Sequence, residues 1–271
     1  VAGDTEVYLA RASDRAVVAF PKSGGASRNL VRLEQPVRDM VLAGGALWLT
    51  SGGRVERLGL DGGAEALVAS HLSLPGAIAT DGATVFVTDL EARDGGLVPR
   101  SSVLRLPAHG GAAAVVGAAD GEIDALALDA THVYWADPLD GSIVSVPKEG
   151  GTARTLASER GLPGKLRLYR GKLFWVERRT ESIWTMPASG GAPVQFTQDF
   201  AGFADLVVDE RGVWWSNEGA VDGAFRVLFA AKPGEAIGAS PAVVGIDALA
   251  SDGHQVFWAR EGAVSRVGGD E

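Results

Sequence analysis

One short pattern recurs along the whole chain: an aromatic centre flanked by aliphatic or further aromatic residues, then a gap, then a turn rich in glycine and often opened by proline. The centres read Val7-Tyr8-Leu9, Leu47-Trp48-Leu49, Val85-Phe86-Val87, Val133-Tyr134-Trp135, Leu173-Phe174-Trp175, Val213-Trp214-Trp215 and Val256-Phe257-Trp258. Their middle residues stand 40, 38, 48, 40, 40 and 43 positions apart. A strand-built unit of about 40 residues cannot cover both of its faces alone, so it must stack against its neighbours. The architecture this predicts is all-β: a β-propeller with one blade per unit, spanning 1–271 as a single domain.

The fourth unit shows how a blade is made. Asp124–Asp129 reads as a short inner strand of small residues, and Val133–Ala136 as a second strand carrying aromatics. Asp137–Gly141 is a turn by its Asp, Pro and Gly content. Ser142–Val146 alternates as a third strand, Lys148–Gly151 supplies a glycine hairpin, and Thr152–Ala157 is an outer strand. Units two to six each provide four such strands, arranged as antiparallel sheets. Unit one has no room for an inner strand in Val1–Thr5, and unit seven ends after Ala263–Val267 without an outer one. Seven aromatic second strands predict seven blades. The alternative is six, with the two termini sharing a blade.

The units resemble those of the propeller group that holds the YWTD, NHL and streptogramin-lyase-like repeats. Val133-Tyr134-Trp135-Ala136-Asp137 with Gly141-Ser142-Ile143 carries the likeness best. The resemblance implies the fold. For activity it implies only a range, since that group includes binding modules, sensor domains, lyases and lactonases.

Composition removes several classes of function. The net charge of -9 and a pI near 5.0 argue against nucleic acid, which needs a basic stripe. No apolar run approaches the ~20 residues of a membrane helix. With no cysteine there are no disulfides and no thiolate chemistry. The chain begins at Val1 rather than Met, and a clipped secretory signal fits an extracytoplasmic setting, periplasmic or secreted, in a bacterium of GC-rich composition.

Aligning the units gives two columns of candidate site residues. At the start of the inner strand stand Asp39, Gly76, Asp124, Lys165, Asp205 and Asp247. Directly after the second strand stand Arg11, Ser51, Asp89, Asp137, Glu177, Asn217 and Arg260. Both columns belong to one face. Asp39, Asp89, Asp124, Asp137, Glu177, Asp205, Asn217 and Asp247 therefore form the predicted ligand-binding set. The second column is expected to be the more exposed, and together the carboxylates would focus a negative potential. Each Asp also has a structural reading, as an acceptor for loop amides. Insertions at Leu90–Ser101 and Glu218–Ala224 extend the same face.

The function this favours is a monomeric, non-enzymatic binding module for a protein, a peptide or a small cation-bearing ligand, with no cofactor. If an ion is bound, oxygen-only ligation suits a hard cation such as calcium. The rival is a metal-dependent hydrolase or lyase. Lyase-like relatives use a His/Glu cluster with a divalent ion, and this chain shows no matching histidine pair on the presumed active face, His132 and His254 belonging to the opposite one. Gluconolactonase-like relatives use Glu, Asn and Asp, a set that Glu177, Asn217, Asp205 and Asp247 match by residue type.

Overall fold

The computed structural model describes residues 1–63, 66–92, 98–198, 203–218, 225–235, 238–239, 246, 248–260 and 262–267. The protein is an all-β, seven-bladed propeller of small antiparallel sheets, each a meander of consecutive strands. Five sheets have four strands. The first and last have three among the described residues. The sheet of unit four runs Leu126–Leu128, His132–Asp137, Ser142–Pro147 and Arg154–Ala157. Its hairpin takes Gly150 and Gly151 to φ +86° and +134°, and Gly150 N–H donates to Pro147 C=O at 2.9 Å. Those φ values are strained for any residue with a Cβ, which explains the repeated glycine pair. Among the described residues no helix is long and apolar enough to cross a membrane.

Unit one finds a partial substitute for its missing inner strand. Val1 and Tyr8 exchange backbone hydrogen bonds at 2.8 and 2.9 Å, and Ala2 bridges Val7. With Gly3, whose N–H donates to Glu6 C=O at 2.9 Å, three residues thus cover an edge that would otherwise stay open.

Contacts gather the chain into two compact units. One comprises Ala10–Val18 and Asn29–Leu166; the other comprises Val1–Leu9, Ala19–Arg28 and Arg167–Glu271. In the first, Trp48 packs with Val55, Ile78, Val87 and Leu106, and Trp135 packs with Phe86, Val103 and Ile123. In the second, Trp215 packs with Phe174, Ile183, Phe196 and Leu206. The repeated aromatic centre is the filler between adjacent sheets, and large rings supply that volume with few residues. Trp48, Trp135, Trp175 and Trp215 are all fully buried.

A second device joins neighbouring sheets at the end that carries the hairpins between first and second strands. Five residues before the aromatic centre stands an Asp in units three, four, six and seven: Asp81, Asp129, Asp209 and Asp252. A Lys follows the third strand in units one, four and six: Lys22, Lys148 and Lys232. Lys148 Nζ meets Asp81 of the preceding blade at 2.9 Å, and Lys22 pairs with Asp252, tying the first sheet to the seventh. Lys148 is buried, as a paired lysine can be.

Candidate functional site

The inner-strand column is built on a bulge. In units two and six the register with the second strand slips beside Asp39 and ahead of Leu206, and a bulge re-aims a side chain. Asp39 Oδ1 accepts from Met40 N–H at 2.8 Å, while Oδ2 accepts from Ile78 N–H of the next blade at 2.9 Å. Asp205 repeats this, with Leu206 N–H at 2.8 Å and Leu249 N–H of the next blade at 2.9 Å. The backbone N–H of each aspartate donates to a hydroxyl on the second strand, Thr50 or Ser216, at 3.1 Å. Asp124 Oδ1 accepts from Lys165 N–H, again one blade on, at 3.1 Å. These carboxylates staple each inner strand to the next, which is their structural reading.

Cations attend the same column. Arg167 reaches Asp205 Oδ1 at 3.2 Å, and Arg38 reaches Glu122 at 2.9 Å. Gly76 occupies the unit-three position because a Cβ there would stand 2.9 Å from Thr88 Oγ1.

The second column differs from its expected exposure. Ser51, Asp89, Asp137, Glu177 and Asn217 are all buried. In units two and three the entry loop folds over the strand end, and in units four and five the turn that follows the second strand does so. Asp89 accepts from Ser73 N–H at 3.0 Å and Leu74 N–H at 2.7 Å, closing the loop into its own blade. Ser51 Oγ donates to Gln35 C=O at 2.9 Å. Asp137 Oδ1 accepts from Leu139 and Asp140 N–H groups, so it caps its own turn. Glu177 accepts from Trp175 Nε1 at 3.3 Å and from the Thr180 hydroxyl at 3.4 Å. Asn217 Oδ1 alone has no partner among the described residues.

Register places the two columns at the same end of a sheet. Leu126, two residues after Asp124, faces Trp135, two before Asp137; Asp39 faces Thr50, next to Ser51; and Phe203 faces Asn217. Asp39, Asp89, Asp124 and Asp137 belong to the first compact unit. Glu177, Asp205 and Asn217 belong to the second. Asp247, and the loop residues 93–97 and 219–224, lie outside the described residues. Among the described residues no group of three or more His, Asp or Glu side chains is placed to hold a metal ion.

Electrostatics single out one spot in the first unit. Burial pushes the Asp137 carboxyl above its ordinary value, and the charges of Asp140 and Asp120 push it the same way. Beside these acids the tip residue Leu139 is 56% exposed. Neither Asp120 nor Asp140 belongs to the predicted set. Asp140 follows Pro138-Leu139 in a turn, a pattern that signals geometry rather than charge.

No protein-family model matches the chain, and no curated protein does. Solved structures are similar in fold. A virginiamycin B lyase from Staphylococcus aureus is 14% identical, with 96% of this chain and 90% of that one covered and a TM-score of 0.73. A chain of a nidogen/laminin complex is 21% identical, with 79% and 84% covered and a TM-score of 0.61. A putative TolB from Agrobacterium tumefaciens is 16% identical, with 88% and 89% covered and a TM-score of 0.61. The chain is thus similar in fold to β-propellers whose roles differ.

Proposed function

We propose that this protein is a non-enzymatic binding module that takes up a basic, partly apolar segment of a peptide or protein partner at the Asp120/Asp137/Asp140 turn. The observation that carries the reading is the exposed Leu139 in the turn that Asp137 caps, with the charges of Asp140 and of Asp120, at the end of the strand Ala114–Asp120, both felt at Asp137. Burial is the larger cause of the raised Asp137 carboxyl; an ammonium or guanidinium group at Asp120 and Asp140 would offset the part that their charges add, and Leu139 would meet an apolar neighbour. The staple role of Asp39, Asp124 and Asp205 also supports a scaffold reading, since their oxygens already face N–H donors. Likeness in fold to a chain of a nidogen/laminin complex is compatible with a protein partner. The proposal keeps the extracytoplasmic setting expected from the sequence.

Calorimetric titration with a Lys/Leu peptide tests it. Saturable binding is expected at low salt, weakening several-fold as salt rises. The double variant Asp120→Asn, Asp140→Asn should weaken it further. Heat on adding calcium but none with the peptide would overturn the reading and favour the metal-dependent hydrolase. Heat with neither would remove both.

A further inference from the structure

The Lys/Asp clasp of the hairpin end is made twice and broken once. Lys232, the third lysine of the set, belongs to unit six, so its acid should come from unit five. There the aligned position is Tyr169. Lys232 is exposed, unlike Lys148, and no acid pairs with it among the described residues. At this break, between the fifth and sixth sheets and within one compact unit, lies a cleft of about 360 Å³.

Its walls are of two kinds. Tyr169, Phe174 and Phe196 give an aromatic lining, with Phe174 and Phe196 edge to face at 5.9 Å between centroids. Thr185 stands opposite Phe174 in the ladder and also lines the cleft. It is only 8% exposed, yet its Oγ1 has no hydrogen-bond partner among the described residues. A buried hydroxyl without a partner is rare, and it points to a ligand atom or water that completes it.

Charge at the mouth is unbalanced. Arg211 is held by Asp209 at 2.6 Å, and Arg170 lies over the Tyr169 ring and 3.9 Å from Glu210. Among the described residues Lys172 and Lys232 pair with no acid. Two uncommitted ammonium groups over an aromatic cleft with an orphan hydroxyl suit an anion on an apolar body. We infer that this cleft binds a small organic carboxylate: the carboxylate takes the place of the missing aspartate against Lys232, the apolar part lies against the aromatic wall of Tyr169, Phe174 and Phe196, and a polar atom meets Thr185. The volume lies within the usual range of small-ligand pockets. This site is independent of the acidic turn, which lies in the other compact unit.

The test uses the whole chain and three probes: 3-phenylpropionate, indole-3-acetate and octanoate, with 3-phenylpropionamide as the uncharged control, followed by backbone amide NMR. At least one carboxylate should give saturable shifts at residues lining the cleft, at least tenfold tighter than the amide. Lys232→Ala should cost about tenfold in affinity, and Thr185→Val several-fold. Tyr169→Asp should restore the clasp, abolish binding and raise Tm. The inference is overturned if no carboxylate saturates by about 10 mM, or if Lys232→Ala leaves affinity unchanged. Should Tyr169→Asp fail to fold, the Lys232 variant alone decides.

Discussion

Asp137 shows how one residue can be read two ways. As a turn cap it is stabilising, because it satisfies the N–H groups of Leu139 and Asp140. As a charge it is costly, because burial and its acidic neighbours raise its carboxyl. A group raised in the folded state binds protons more readily there than when unfolded, so its charge costs stability once the pH passes its unfolded value. Asn keeps the accepting oxygen and drops the charge. Asp137→Asn should therefore raise Tm at pH 7, and the difference should vanish below about pH 3, where both forms are neutral. Thermal unfolding followed by circular dichroism at the two pH values checks the sign.

At the scale of strands and turns, the aromatic centres, glycine hairpins and four-strand meanders were legible because burial and turn geometry leave direct marks on residue type. The two acidic columns were legible as columns, and in the sheets of units two, four and six the register sets their described members toward one end. Their occupation was not, because a carboxylate that staples backbone looks the same in a sequence as one that meets a ligand. A repeat offers a clue: an Asp recurring at the same place in several blades performs something every blade needs. The Lys/Asp clasp escaped notice because its partners are about 67 residues apart in one case and 230 in the other. The staple makes a direct prediction. Asp205→Ala leaves Leu249 N–H without its acceptor and should cost about 1–3 kcal/mol. Hydrogen exchange at Leu249 should quicken well before exchange in the Val213–Glu218 strand. Equal acceleration at both would mean that the staple does not act locally.

Across the whole molecule, each compact unit contains one clasp, Lys148 with Asp81 in the first and Lys22 with Asp252 in the second. Burial alone would raise both carboxyls. The lysine ammonium in each case, with backbone N–H groups of the turn, outweighs that effect and holds Asp81 and Asp252 at about 2. The sign is opposite to that of Asp137. A depressed carboxyl contributes its full stabilisation above its unfolded value of 3.8 and loses it as the pH falls toward about 2. For Asp252, whose side chain is 14% exposed, the shift corresponds to about 2 kcal/mol. Asp81 is 39% exposed, and solvent screening reduces its share. Acid should thus weaken the hairpin end of both units in one narrow window. Asp252→Asn should lower unfolding free energy by about 1–2 kcal/mol at pH 7, while wild type and variant should converge by about pH 2. Urea unfolding at pH 7, 4 and 2 measures that convergence. A gap that stayed constant over the three would show that the loss comes from packing around Lys22 rather than from the charge pair.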